Sequence, residues 1–315
     1  MTEQEVELPR AIPLEGPEHR AQVHGAISIP GQYARALARA GRPQGVISAA
    51  AGAALGPIVI EHPGRVLEPA VVARYREVCG YSEGSAVPAC FMETLFQGLM
   101  VEIVLSPSFP FSPFGVIHLG QTLQQHRAVA PDAVLDLRCS LAEVQQTRRG
   151  YELDIAMLAE QAGEPVWQGV ASLISRGKAT RSGKTRGAKK PPAGEPGGWS
   201  EPWPLDVAGD TGRRYAGVSG DYNPFHLYGV LAKLFGFPRP IAHGMWTLAR
   251  ALAWVEAELP EVPEAHRVQA SFKKPLLMPG AVTMRQRPLD DGAGRGFEVR
   301  HARKDHPHLV GEIAW

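Results

Sequence analysis

Met245, Leu248, Leu252, Val255 and Leu259 fall at i, i+3, i+7, i+10 and i+14, the single apolar stripe of a helix. Pro260 stops the pattern, so a helix over His243 to Leu259 would be about 25 Å long at 1.5 Å per residue. Met92, Leu95, Phe96, Leu99 and Ile103 draw a similar stripe in the first half of the chain. Behind each helix the period changes to that of strands. Candidate strands run over 133–143, 151–159 and 165–175, and then over 267–273, 281–287, 296–303 and 308–314. Turn formers at Ala162-Gly163-Glu164 and Asp290 to Gly294 separate some of them. A long helix followed by an antiparallel meander implies an α+β layer, with a sheet curled around each helix. Residues 71–78 read as a further helix, 31–40 as another and 58–61 as a strand.

The two halves repeat one another. His118-Leu-Gly-Gln121 and Pro131-Asp-Ala133-Val134 recur as His266-Arg-Val-Gln269 and Pro279-Gly-Ala281-Val282, at one gap-free offset of 148 residues (266 − 118). Upstream, Arg74-Tyr75-Arg-Glu-Val78-Cys79-Gly80 matches Arg214-Tyr215-Ala-Gly-Val218-Ser219-Gly220. Two blocks in the same order point to a duplicated domain. Between the halves, residues 177–198 hold no large apolar residue and are built mainly from Gly, Pro, Lys, Arg and Ala. Such a stretch buries too little to offset its ordering entropy, so it is expected to be a linker, and its basic run a solvated face of that linker. The expected division is an N-terminal domain over 1–176 including an N-terminal extension, a linker over 177–200 and a C-terminal domain over 201–315.

Composition narrows the class. The 315 residues carry 33 basic and 32 acidic side chains, a balance without the basic excess of a dedicated nucleic-acid binder. Three cysteines, Cys79, Cys90 and Cys139, are too few for a disulfide framework and favour a reducing compartment. The start, Met1-Thr-Glu-Gln-Glu-Val-Glu7, is acidic where an export signal is basic and then apolar. The run from Val46 to Ile60 is shorter than the ~20 residues that cross a bilayer. These features predict a cytoplasmic protein with no membrane partner.

The densest chemistry lies in Tyr215-Ala-Gly-Val-Ser219-Gly220-Asp221-Tyr222-Asn223-Pro224-Phe225-His226. On a regular helix Asp221 and His226 would lie on different faces, about 140° apart. Pro224 lacks an N–H and pushes Asn223 out of the α region, so a turn is predicted that lets carboxylate and imidazole converge. Such a pair is a general acid–base device. A helix is expected to resume near His226, with Leu227, Leu231, Leu234 and Phe235 on its buried side. Downstream, Ile241-Ala242-His243-Gly244-Met245 opens the long helix, whose free N–H groups make an oxyanion site where Gly244 lets a carbonyl approach.

With Phe272-Lys-Lys-Pro275 and Pro279-Gly280, these motifs resemble the MaoC-like dehydratases and R-specific enoyl-CoA hydratases of the hot-dog fold. The resemblance covers residues 205–285, and the repeat extends it to a tandem (double) hot-dog. It implies a hydro-lyase that reversibly hydrates trans-2-enoyl-CoA to (R)-3-hydroxyacyl-CoA, in fatty acid metabolism. Asp221 and His226 would be the catalytic pair acting through one water, Asn223 would orient them, and the Gly244 N–H would hold the thioester oxygen. Ser219, His243, Met245, Tyr228, Lys273 and Lys274 are the candidate substrate-binding residues, the lysines toward coenzyme A phosphates. Tyr228 stands where the family has a small or acidic residue. The chemistry requires no metal, redox cofactor or covalent nucleophile. In the first repeat Tyr81, Glu83 and Ala86 stand against Asp221, Asn223 and His226, so that half is expected to be catalytically degenerate and to shape a pocket for bulky acyl chains. A homodimer is compatible with this arrangement.

Other readings compete. A hot-dog thioesterase shares the helix-terminus carbonyl site, and a non-catalytic acyl-thioester-binding subunit would not need the acid–base pair. Gly80-Tyr-Ser82-Glu-Gly84 matches a hydrolase nucleophile elbow but lacks the preceding strand that motif needs. His301, His306 and His308 read as a polar hairpin rather than a zinc site. His118 and His266 read as structural, and Cys79, in the place of Ser219, as a packed small side chain.

Overall fold

The computed structural model describes residues 10–11, 14–25, 27, 31–32, 35, 55–109, 111, 116–147, 149–175, 198–290 and 292–315. The first half contributes β1 (Arg10–Ala11), β2 (His19–Gln22), β3 (Ile58–Val66), β4 (Val116–Gln125), β5 (Val134–Thr147), β6 (Gly150–Gln161) and β7 (Glu164–Ser175). Its helices are α1 (Pro69–Cys79), α2 (Ala89–Thr94) and α3 (Gln97–Leu105). The second half contributes β8 (Trp203–Val207), β9 (His266–Phe272), β10 (Gly280–Pro288), β11 (Gly294–His301) and β12 (Pro307–Ala314). Its helices are α4 (Thr211–Ser219), α5 (Pro224–Leu227), α6 (Gly229–Leu234) and α7 (Gly244–Ala257).

The strands form one sheet in the order β2-β3-β5-β6-β7-β4-β9-β12-β11-β10-β8, with β1 beside β5. Outward from the centre, β4-β7-β6-β5-β3 on one side mirrors β9-β12-β11-β10-β8 on the other. The central register carries the same symmetry: Gln121 pairs with Ala270 and Thr122 with Gln269, and the 148-residue offset exchanges these two pairs. The sequence repeat is therefore a pseudo-twofold axis between β4 and β9, the tandem hot-dog arrangement expected from the motifs.

Alternation along the strands decides which face is covered. Leu153, Ile155, Met157 and Ala159 of β6 are all buried, as are Leu135, Leu137, Cys139 and Leu141 of β5. Against this face lie the central helices. α7 buries Met245, Leu248, Leu252 and Val255, the predicted stripe. Its Trp246 reaches the other repeat, with Nε1 donating to the Val78 carbonyl at 3.1 Å. Trp254 stacks on Trp203 of β8 with centroids 6.2 Å apart.

The first repeat departs from a single long helix. Its stripe is broken between α2 and α3, where the Leu95 and Phe96 N–H groups bond three residues back, to Met92 and Glu93 carbonyls. The Thr94 hydroxyl donates to the Phe91 carbonyl at 2.7 Å. The tighter turn seats Phe96 on the buried Trp167 ring, 5.4 Å between centroids, while the Trp167 Nε1 donates to the Ala89 carbonyl. In the second repeat the helix near His226 is likewise two short pieces, since Tyr228 is extended between α5 and α6. Leu234 is 77% exposed, contrary to the stripe read for it, and Ala232 takes the buried position instead. The linker over 177–197 and almost all of the helix read over 31–40 lie outside the described residues. Among the described residues no helix is long and apolar enough to cross a membrane.

Trp167 is fully buried and ties the break in the first-repeat helix to β7. Trp167→Ala is expected to cost about 3–5 kcal/mol of unfolding free energy by cavity formation and loss of its hydrogen bond, measured by urea denaturation.

Candidate active site

The bend after α4 assembles the acid and the base. Gly220 takes a left-handed conformation, φ 76°, as the helix ends, and Gly80 does the same after α1. Ser219 Oγ accepts the Asp221 N–H at 3.2 Å. Asp221 Oδ1 in turn accepts the Asn223 backbone N–H at 3.1 Å and Asn223 Nδ2 at 2.7 Å, an Asx turn closed twice. Pro224 then opens α5 at a position where its missing N–H costs nothing. Gly212 of α4 lies so close to the His226 carbonyl that a Cβ there would come within 2.1 Å of its oxygen. Helix α4 thus fixes both members of the pair, one through the bend and one through packing.

Donor atoms of Asp221, His226 and His243 all lie within 4.8 Å of one another. His226 Nδ1 is 2.7 Å from the Ile241 carbonyl and donates to it, which leaves Nε2 as a lone-pair acceptor. Burial, followed by the neighbouring His243, pushes the His226 imidazole down to about 3 against the pull of Asp221 and Ile241, so it is a neutral base at neutral pH. Its ring stacks on His243 at 3.7 Å, and the far side of His243 packs on Tyr215 at 4.9 Å. His243 Nε2 donates to the Asp221 main-chain oxygen at 3.0 Å and stands 3.8 Å from Oδ2. Burial opposes ionisation of Asp221. His243, His226 and the two Asn223 hydrogen bonds outweigh it and hold the carboxyl below its ordinary value. His226 and His243 stack 26° from parallel, and each has one ring nitrogen engaged with a main-chain carbonyl.

α7 begins beside this pair, with His243 as its N-cap and Gly244 as its first residue. The first intrahelical bond runs from Thr247 N to the His243 carbonyl, so the N–H groups before Thr247 are free of the helix ladder. The Phe272 ring covers Gly244 so closely that a Cβ would meet it at 3.0 Å. Against Phe272 lies His118, with ring centroids 4.8 Å apart.

His118 belongs to the first repeat, and so does a second group the motifs did not single out. Glu93 of α2 is 4% exposed, and burial plus the Asp221 charge push its carboxyl up to about 8. His118 is pushed down to about 4 by burial, partly offset by Gly120, Gln121 and Asp221. The site therefore spans the β4–β9 junction, and the repeat without the acid–base pair still supplies polar walls to it. The one sequence signal for Glu93 was a carboxylate inside an apolar helical stripe. His118 lies inside β4.

The remaining candidates are spread out. Ser219 closes the turn, and Met245 is buried in the first turn of α7. Tyr228 is 55% exposed, with the Arg213 guanidinium 5.8 Å above its ring. Lys273 and Lys274 are exposed just past β9, their backbones tied to His308. Cys79 is buried and its thiol is pushed up to about 12 by burial, which suits a packing role. His301 Nδ1 accepts the N–H groups of Arg303 and Lys304, as in a polar hairpin.

Known proteins resemble the chain in sequence and fold. Residues 195–307 match the MaoC like domain. Over 250 residues the chain is 32% identical to 3-hydroxyacyl-thioester dehydratase X of Mycobacterium tuberculosis, covering 78% of this chain and 85% of that protein. It is 30% identical to peroxisomal enoyl-CoA hydratase 2 of Arabidopsis thaliana over 172 residues, 51% of this chain and 56% of that one. The crystal structure of HtdX of Mycobacterium tuberculosis superposes with a TM-score of 0.68 at 29% identity, covering 81% of this chain and 98% of HtdX. A MaoC-like dehydratase from Phytophthora capsici shares the fold at 16% identity, with a TM-score of 0.65 over 83% of this chain and 96% of its own. Fold and relatives together define a tandem hot-dog hydro-lyase. The chain belongs to the MaoC-like dehydratase family.

Asn223 supplies both hydrogen bonds to Asp221 Oδ1. In Asn223→Ala the side-chain bond is gone and burial is less opposed, so the Asp221 carboxyl is expected to titrate at higher pH than in the unaltered protein. Carbon-13 NMR of the side-chain carboxyl through an acid titration reads the shift directly.

Proposed function

We propose that the chain reversibly hydrates a trans-2-enoyl-CoA to an (R)-3-hydroxyacyl-CoA, with Asp221 and His226 acting through a single water molecule. The observation that carries this reading is the convergence of an ionised carboxylate and a neutral imidazole with a free Nε2 beside the N-terminus of α7. The thioester class and the R configuration follow from the family, whose members include the dehydratase and hydratase named above.

In the hydration direction, water sits between the Asp221 carboxylate and His226 Nε2. His226 takes one proton as the water oxygen bonds to C3, and the C2–C3 π electrons move toward the thioester carbonyl. The Gly244 N–H, aided by the helix dipole, receives the negative charge that develops on the thioester oxygen. The proton then passes to C2, which restores the resting imidazole and completes the addition of water without any external reactant. The low basicity of His226 suits it to give the proton back, and the adjacent carboxylate stabilises the imidazolium while it lasts. Asn223 aims Asp221 and adds to the pull of His243 and His226 that favours its ionised form.

Around this centre, Phe272 and His118 would flank the thioester, and the exposed Lys273 and Lys274, which follow Phe272 in the chain, are the proposed partners of coenzyme A phosphates. His243 acts behind the pair as a positioning residue, through its bond to the Asp221 main chain and its stack on His226. The first repeat is proposed to be silent in catalysis, because Tyr81, Glu83 and Ala86 occupy the positions of Asp221, Asn223 and His226.

Asp221→Asn and His226→Ala are each expected to lower turnover of crotonyl-CoA by about 10²–10⁴, followed by loss of the enoyl absorbance. Wild-type rates in both variants would sink the assignment. Release of free thiol at a rate matching substrate loss would instead point to a thioesterase.

A further inference from the structure

A cavity lies at the end of α7 opposite Gly244. About 290 Å³ in volume and open to solvent, it sits between the 81–89 segment, the end of β4 and the C-terminal turn of α7. Its size approaches the roughly 300–1,000 Å³ typical of small-molecule sites. The pseudo-twofold axis maps the catalytic site onto it. Gly80 corresponds to Gly220, His266 in the cavity wall corresponds to His118, and Tyr81 takes the place of Asp221.

The chemistry of this wall differs from that of a fatty tail's channel. Gln125 and His266 both line the cavity and both are only 4% exposed. Gln125 Oε1 and His266 Nε2 are buried without a hydrogen-bond partner among the described residues. His266 Nδ1 lies 2.8 Å from the Pro263 carbonyl and donates to it, so Nε2 is an acceptor. Glu256 adds a carboxyl from α7, and the exposed Glu83 and Glu264 stand at the rim. Arg76 also lines the space, but its guanidinium donates to the Ser82 and Ala86 carbonyls. An acyl tail would leave both orphaned acceptors unpaired, at the full cost of their desolvation.

We propose that this cavity binds a small organic ammonium compound, whose N–H donors are received by Gln125 Oε1, His266 Nε2 and the Glu256 carboxylate. A primary ammonium has three donors for these three acceptors, and the rim carboxylates favour its charge. Burial pushes Glu256 up to about 8, with Arg76 opposing. The groups around it are Arg76 of α1, Tyr81, Cys90 of α2, Glu264 and His266. At neutral pH the empty cavity therefore keeps a proton on Glu256, and an entering cation displaces it. Affinity rises with pH up to about 8 and then levels off.

Isothermal titration of the full chain with n-butylammonium chloride tests this, with n-butanol as the uncharged comparison. The expected result is saturable binding at one site per chain, with a dissociation constant that falls about tenfold or more between pH 6 and 8. Butanol is expected to bind at least about tenfold more weakly, and Glu256→Gln to weaken ammonium binding by about tenfold or more at pH 8. Gln125→Leu provides a second arm should Glu256→Gln fail to fold by circular dichroism. No saturable binding at about 20 mM ligand, equal affinity for butanol, or ammonium binding untouched by either substitution would each overturn the proposal.

Discussion

The site depends on keeping a largely enclosed carboxylate ionised. Asp221 is largely enclosed by protein, and an isolated buried carboxylate takes up a proton rather than bear the loss of hydration. His243 and His226 oppose this, together with the Asx turn, whose two N–H groups go to one carboxylate oxygen, and the bend that makes those bonds also swings His226 alongside. The same few residues therefore set geometry and charge together. Gly212 completes the arrangement, since only a residue without a side chain lets α4 approach the His226 carbonyl.

Neutral His226 and ionised Asp221 form an asymmetric pair. The Ile241 carbonyl fixes the tautomer by taking the Nδ1 proton, so Nε2 is the basic edge. Stacking between Tyr215 and His226 leaves His243 little freedom, and its Nε2 is occupied with the Asp221 main chain. Rigidity of this kind is what the proposed acid–base role of the pair requires.

Duplication gives the molecule two equivalent ends of one symmetric sheet, and the ends have diverged. One keeps the acid, the base and a free helix terminus. The other keeps the glycine-ended helix and opens a cavity walled by different polar groups. Because β4 and β9 pair directly, each half also lends side chains across the junction: Glu93 and His118 reach the end that holds Asp221 and His226, and Glu256 and His266 the opposite one.

Local features were legible in the sequence wherever one element decides them. The α7 stripe, the strand alternation of β5 to β7, the 148-residue offset and the proline-stiffened Asp221–His226 bend are all written in short windows, because side-chain periodicity and proline sterics act over a few residues. Tertiary structure alone decided the rest. The break at Leu95–Phe96 follows from a stack on Trp167, some seventy residues away in sequence. Leu234 faces solvent because Tyr228 interrupts the helix and resets its phase. Glu93 and His118 come under the charge of Asp221 only once β4 and β9 pair, and no periodicity encodes the approach of elements more than a hundred residues apart.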